Sequence, residues 1–474
     1  MSENIKYPTL YVKNFAKIKE AKIELSPFTL FIGDNNSGKS YLMTLVYGLI
    51  VYTTKIVTII LTKYKKNIEE LNEYKKVKSI IKNYINNLDF NKKAELSFEE
   101  INIFIELFNL LLNKYSNEIV NYIFNSDNEV KLESIKLEFD TNQIKFMFEK
   151  ENRINENNEV INLFCLKNII SGNTISSVGT SFDNDNINYY SIITIIISFI
   201  ISNYFNAGFM SLYVNREIFL PVSRTGFLLS RNDISTSARA SKYDRYTEKN
   251  EQYLSRPVMD FLDNFDELSK QKNNIEHMTK KSYLMLDFIE KNMLFGKIMI
   301  NEETKNIYYK PDNTELEFQM YLSSAVVTEL TPLYLFLKHG FIKKKLLMEE
   351  PEISLHPKLQ QQLTRLFIKL INTGVNVIIT THSDTIIQHI NNMIKLNNNK
   401  EDIKKELMKK YNYDEDDLIS ENKVRMYQFD IKEDGFTEIT EIKGSKYGFQ
   451  APTFHKYLMQ SSEEFEAFIE DLDN

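Results

Sequence analysis

The sequence predicts an α/β fold in which a mixed β-sheet carries a glycine-bounded loop and an inserted helical lobe. Three observations predict it. Phe28 to Ile32 is a continuous apolar run of the buried-strand kind, and the loop Gly33 to Gly38 leads from it into a helix carrying Leu42, Leu45, Val46 and Leu49. From about Lys63 to Ile123 apolar residues recur at three and four positions, the spacing of a helix face. From Ser324 to Phe429 helical and strand patterns alternate, as in a sheet with helical crossovers.

The chain opens in β structure. Leu10 and Val12 are followed by Ala21, Ile23 and Leu25 alternating with Lys22 and Glu24, the period of a half-buried strand. In the helical region Ile68, Leu71, Tyr74, Val77, Ile81, Tyr84 and Leu88 form one apolar stripe, and Glu99 to Tyr115 is placed to pack on it as a hairpin. Leu132 to Phe148 reads as strands and Glu151 to Glu159 as a polar loop. Tyr189 to Phe205 is very apolar, but it is shorter than the ~20 residues of a membrane span and lacks basic flanks, so a buried helix or strand is expected and no membrane contact. Ser230 to Gln252 reads as a polar, mobile surface segment. Hairpin-like strands around Ile298 to Tyr309 turn at Pro311-Asp312-Asn313. A helix from about Ser324 to His339 then precedes the strand Leu346 to Met348, and a helix from Pro357 to Ile371 precedes Val375 to Thr380. A helix from Thr385 to Lys395 is followed by a charged loop and the strand Val424 to Phe429, and Glu463 to Asp473 is an acidic helical tail.

A length of 474 residues with 43% apolar residues is ample for a large core. The single cysteine, Cys165, excludes an internal disulfide and a Cys-based zinc site and fits a reducing cytoplasm. Met1 to Phe15 shows no basic stretch followed by an apolar one, so no secretory signal is expected. A net charge of −7 argues against wholesale coating by nucleic acid but leaves room for a local basic groove.

The chemistry concentrates in three places. Gly33-Asp34-Asn35-Asn36-Ser37-Gly38-Lys39-Ser40 fits GxxxxGK(S/T) between a buried strand and an amphipathic helix. Backbone N–H groups of Gly33, Asn35, Asn36, Ser37 and Gly38 and the helix N-terminus favour a phosphate, Lys39 neutralises the β- and γ-phosphates, and the Ser40 hydroxyl is a ligand for Mg²⁺. Leu346-Leu347-Met348 delivers Glu349 and Glu350 to the end of a strand, where adjacent residues face opposite ways, so one acid serves the metal and the other polarises water. His382 in Thr380-Thr381-His382-Ser383-Asp384 again ends an apolar strand, within reach of a γ-phosphate or attacking water. His356 is open between helix capping or an interface and chemistry. Arg224 is open between nucleotide, DNA, a neighbouring lobe and a plain salt bridge.

TLFIGDNNSGKS, LLMEEPEISLHP and IITTHSD, in that order, resemble the ATPase domain of the RecF/SMC/OLD branch of ABC-type ATPases, and within it the AAA15 group. LPVSRTGF (Leu220 to Phe227) resembles that group's proline–arginine motif, and LSSAVVTELTPL (Leu322 to Leu333) its signature helix. The likeness covers roughly 1–55 and 215–395. It implies an ABC-type head made of 1–55 and 215–440, a helical insertion over 56–130, further insertion and head strands over 131–214, and an acidic tail over 441–474. It also implies ATP and Mg²⁺ as ligands, with Glu349 on the metal side, Glu350 as general base and His382 sensing phosphate. Each ATP would lie between one subunit's phosphate loop and the other's Ser323 and Ser324 in a homodimer or higher oligomer, with Ser354 and Leu355 in the dimer contact. Two departures, Glu349 where an Asp is usual and Ala325 where a glycine is usual, point to a slow switch.

The leading functional expectation is a switch ATPase controlling a separate effector, a nuclease or toxin, in anti-phage defence. A DNA-repair ATPase that binds DNA is an alternative. So is a nuclease acting through the chain's own C-terminal region, although Asp414-Glu415-Asp416-Asp417 has no apolar strand leading into it. A scaffold that binds ATP without hydrolysing it is opposed by Glu350 and His382 and left open by Ala325 and Glu349.

Overall fold

The computed structural model describes residues 7–89, 92–126, 129–140, 145–154, 160–170, 173–181, 187–205, 217–230, 254–268, 280–301, 303–450 and 462–468. Strands β1 (Thr9–Phe15), β2 (Ile18–Glu24) and β3 (Phe28–Gly33) lead into α1 (Lys39–Val51). The lobe follows as α2 (Thr53–Lys63), α3 (Lys65–Glu69), α4 (Asn72–Asn87), β4 (Lys93–Glu95), α5 (Phe98–Lys114) and α6 (Ser116–Phe124). β5 (Leu132–Glu138), β6 (Lys145–Ile154), β7 (Val160–Ile170) and β8 (Asn173–Ser181) come before α7 (Tyr189–Tyr204). Next are β9 (Glu217–Leu220), α8 (Arg224–Leu229), α9 (Arg256–Leu268), α10 (Lys280–Ile289), β10 (Gly296–Ile300), β11 (Ile307–Pro311) and β12 (Phe318–Gln319). The chain continues through α11 (Ala325–Lys338), β13 (Lys345–Glu349), α12 (Pro357–Asn372), β14 (Asn376–Thr381), α13 (Asp384–Asn397), α14 (Glu401–Tyr411), β15 (Val424–Ile431) and β16 (Thr437–Ile442).

Nine strands form one sheet in the order β5-β1-β2-β16-β15-β3-β14-β13-β9. From β15 to β9 every pairing is parallel, whereas β15–β16, β2–β1 and β1–β5 are antiparallel and β16–β2 is parallel. The central strands are covered on both faces, which is why they read as unbroken apolar runs. In β3, Phe28, Leu30 and Ile32 belong to one core with the helices α9 to α13, while Phe31 points to a second core with α1, the lobe and α7. The mixed α/β class is therefore as expected. The apolar segment 189–205 is a core helix, with Ile193, Ile197 and Phe199 buried, and among the described residues no single helix is long and apolar enough to cross a membrane.

The lobe matches its periodic pattern. The stripe residues Tyr74, Val77 and Ile81 are buried, α4 packs on α5, and Ser97 and Glu100 close a capping box at the start of α5. At the edge strand β5, Asn109 of α5 both donates to Leu137 O (2.8 Å) and accepts from Leu137 N (2.7 Å). Asn113 accepts from Ile135 N (2.9 Å) and Ser116 Oγ donates to Leu132 O (2.8 Å). Side chains thus take the backbone groups that an edge strand leaves open.

Several expectations need correction. Glu151, Asn152 and Arg153, with Ile154, extend β6, because a ten-residue ladder with β7 overrides the polarity of the first three, and 155–159 lie outside the described residues. The turn joining β10 and β11 is Asn301 to Asn306, while Pro311 to Asn313 turns toward β12. The charged loop after α13 contains α14, which buries Lys404 and Met408 and turns its other Lys and Glu residues to solvent. The tail expected from 441 starts later. β16 inserts between β2 and β15, Phe449 is buried, and the tail proper contributes a helix over 462–468. The expected surface segment 230–252 lies outside the described residues apart from Ser230.

Candidate functional site

The loop between β3 and α1 owes its shape to two glycines. Gly33 has φ +123°, and a Cβ there would meet Phe429 O at 2.2 Å; Gly38, at φ +92°, caps α1. Asn36 adopts φ 58°, a left-handed conformation that asparagine tolerates. Asp34 N donates to Phe429 O (3.2 Å) and Asp34 Oδ2 accepts from Ile431 N (3.2 Å), so β15 braces the loop. Lys39 folds over the loop, donating to Gly33 O (3.1 Å) and Ser37 Oγ (3.3 Å) and to Asp34 O. Burial lowers its pKa to about 8, against the pull of Glu350, Asp34 and Glu352. Asn35, Asn36 and Ser40 are exposed at the loop, and Ser37 is buried.

Strands β3, β14 and β13 lie side by side in parallel, so their C-terminal ends bring the remaining groups to this loop. Glu349 is buried and its carboxylate accepts from Val222 N (3.1 Å); desolvation raises its pKa, opposed first by the neighbouring Ser40 hydroxyl. Glu350 turns outward with φ 40°, held by Glu350 N donating to Thr380 O (2.9 Å) and Thr380 Oγ1 (3.2 Å). His382 Nε2 lies 3.9 Å from Glu350 Oε1. Burial first, and Lys39 second, lower the imidazole's pKa, so at neutral pH this is a contact between a neutral ring and a carboxylate.

Two residues absent from the expected site set hold this geometry. Arg224 is fully buried: Nη1 donates to Glu349 O (2.8 Å) and Pro221 O (3.1 Å), and Nη2 to Glu350 O (3.1 Å). Its Nε sits 2.8 Å from Glu329 Oε2 on α11, a charge contact off the hydrogen-bonding line. Arg224 is therefore a buried strut between α11 and the end of β13, and it has no surface for nucleotide or DNA. Glu352, raised in pKa by burial, accepts from His382 N at 2.6 Å and so fixes the backbone of the histidine. Its signal was a third acid two residues after Glu350; that of Arg224 was its place in the segment LPVSRTGF, and the salt-bridge reading is the one its burial beside Glu329 supports.

Ser323 and Ser324 stand apart from this cluster. Ser324 caps α11 through Val327 N (3.5 Å), and Ser323 Oγ donates to Gln319 O (3.2 Å) beside the exposed Tyr321 and Leu322. His356 resolves as the cap of α12, with Nδ1 accepting from Lys358 N (3.3 Å). Ser354 has φ 59° and is exposed, and Leu355 is buried. Asp417 is buried against Arg365 (2.7 Å) and Lys369 (3.1 Å), a structural ion pair, and the described residues hold no cluster of three or more metal-ligating side chains.

Residues 8–387 match the family AAA_15, described as the AAA ATPase domain. No curated protein matches the chain. Solved structures similar to it include "SmcHead bound to the C-winged helix domain of ScpA" (13% identity, 92% of this chain and 98% of that one, TM-score 0.36). The SMC head domain from Thermotoga maritima has 10% identity, 92% and 99% coverage and a TM-score of 0.33. An Smc head domain with an extended coiled coil, bound to the C-terminal domain of ScpA derived from Pyrococcus furiosus, has 13% identity, 98% and 100% coverage and a TM-score of 0.36.

Proposed function

The chain belongs to the AAA ATPase domain family, and we propose that it is a slow ATP-driven switch whose hydrolytic site is completed by a second copy. The observation carrying this reading is the convergence of Lys39, the Ser40–Glu349 pair, Glu350 and His382 at one end of the parallel strands.

In this reading the loop N–H groups and Lys39 hold the triphosphate of ATP. Lys39 exchanges the loop carbonyls it now bonds for phosphate oxygens, at little conformational cost. The Ser40 hydroxyl and the Glu349 carboxylate are neighbouring hard oxygen donors, a set that suits Mg²⁺, which takes one or two protein ligands and completes its shell with phosphate and water. Bound there, Mg²⁺ would spread the charge developing on the phosphates. Glu350, outside the metal pair and partly exposed, takes a proton from the attacking water. Neutral His382 donates toward the γ-phosphate oxygens. Ser323 and Ser324 of a second copy, exposed or nearly so at the head of α11, supply the last donors in the positive field of the helix N-terminus.

Glu350→Gln keeps the shape and removes the base. We expect it to bind ATP, to release phosphate at least about 100-fold more slowly, and to accumulate as an ATP-held dimer. Equal phosphate release by Glu350→Gln and wild type would remove Glu350 from the role of base and favour the scaffold reading. On the resemblance of its motifs, the switch would act on a separate nuclease or toxin in anti-phage defence.

A further inference from the structure

Two features outside the nucleotide site have complementary chemistries. The first is a cavity of about 840 Å³ in the lobe, between α2, α3, α4 and the start of α7. Tyr74 and Tyr190 stack within it at 5.6 Å and 27°. The exposed Lys65 lies over the Tyr190 ring at 5.1 Å, and the exposed Lys78 over the Tyr189 ring at 4.9 Å. Glu69, the acid at this wall, accepts from the Tyr190 hydroxyl. The surrounding segment 53–87 carries eight lysines and three glutamates, a local charge of +5 in a chain of net charge −7.

The second feature is the helix over 462–468, exposed at every position. Phe465 and Phe468 are each 66% exposed, and three residues apart they share one helix face. The sequence from 462 to 474 adds Glu463, Glu464, Glu466, Glu470, Asp471 and Asp473 and no basic residue.

We propose that this acidic, phenylalanine-bearing segment of one copy docks into the tyrosine- and lysine-lined cavity of a second copy. An amphipathic helix laid in a groove buries its apolar anchors while the rim reads its charge. Here the two Phe rings meet the edges of the Tyr189 and Tyr190 rings, and the flanking carboxylates meet Lys65 and Lys78. The second copy is favoured over the segment's own lobe because within one chain the helix 462–468 is exposed at every position and belongs to neither core. Phe449 is buried in the core on the face of α13, bonded both ways to Asn391, whereas the lobe packs on the opposite face of the sheet. The contact uses no residue of the nucleotide site, so it forms without ATP.

The test uses the full chain carrying Phe465→Ala and Phe468→Ala, which frees the cavity, and a fluorescent peptide of residues 462–474, without nucleotide. The peptide should bind, and Lys65→Glu with Lys78→Glu should weaken it at least about tenfold, as should alanine at both Phe positions of the peptide. Added salt should weaken it further. ATP binding by the Lys65→Glu/Lys78→Glu chain should be unchanged, which verifies its fold and separates this result from the nucleotide reading. Absence of peptide binding, or equal binding after either substitution pair, overturns the proposal. So does a nucleotide-free wild-type chain that sediments as a monomer at every concentration while its own segment blocks the peptide.

Discussion

Replacing Arg224 by lysine tests whether the buried strut sets the geometry of the hydrolytic end. Arg224 makes three bonds to backbone carbonyls, two of them to Glu349 and Glu350, and a charge contact to Glu329. Hydrogen bonds from a charged donor contribute ~1.5–3 kcal/mol each. A lysine ammonium lacks the planar fork and keeps about one of them. Two lost bonds correspond to ~3–6 kcal/mol, and relaxation with water entry leaves an expected loss of about 3 kcal/mol in folding stability. Glu350 sits at φ 40°, so releasing its carbonyl lets the residue leave that conformation. If about 1.4–2.8 kcal/mol of this appears in the activation barrier, kcat falls ~10–100-fold. The loop that holds the phosphates is untouched, so the Kd for ATP should change by less than about threefold. Phosphate release at saturating ATP, ATP binding by fluorescence and a urea melt measure the three quantities. A folded Arg224→Lys chain with wild-type kcat, or one whose whole defect lies in ATP affinity, would refute the strut.

Further outcomes follow from single groups. Lys39, lowered to about 8 by burial, neutralises phosphate only when protonated, so ATP affinity should be level below about pH 7 and fall toward about tenfold per pH unit above pH 8, read by binding titrations. Asp260, bonded by the hydroxyls of Tyr47 and Tyr52, is raised from 3.8 to about 6 by burial. A raised folded pKa gives stability that is complete below 3.8 and lost as pH rises through 6, so Asp260→Asn should gain up to about 3 kcal/mol on the wild type between about pH 4 and pH 7 in urea melts. His356→Ala removes the cap of α12 and should cost about 0.5–1 kcal/mol while leaving phosphate release unchanged; a loss of turnover would return His356 to the chemistry.

The parts of the site legible in the sequence were those whose chemistry is local. The loop 33–40 needs its glycines and lysine at fixed offsets, and the apolar strands Leu346 to Met348 and Val377 to Thr380 announce the acids and the histidine that end them. What escaped depends on distant partners. Nothing near Arg224 tells that its guanidinium is buried against carbonyls 125 residues away. β16 is apolar only at Ile439 and Ile442, three residues apart, and pairs between two strands from opposite ends of the chain, so its neighbours, and not its composition, make it a strand. α14 does carry a repeat, Ile403, Leu407 and Tyr411 at every fourth position, but only Met408 beside it is an apolar residue that the helix buries, and the lysines and acids around it dominate the composition.

The carboxamides of Asn109 and Asn113 along β5 bear on how such a molecule meets its own copies. A bare strand margin would recruit any extended peptide, and a population held together at high local concentration would then polymerise through its main chains. Plugged by amides from a neighbouring helix, this border offers no ladder to extend. Encounters between copies are left to surfaces that choose by shape and charge.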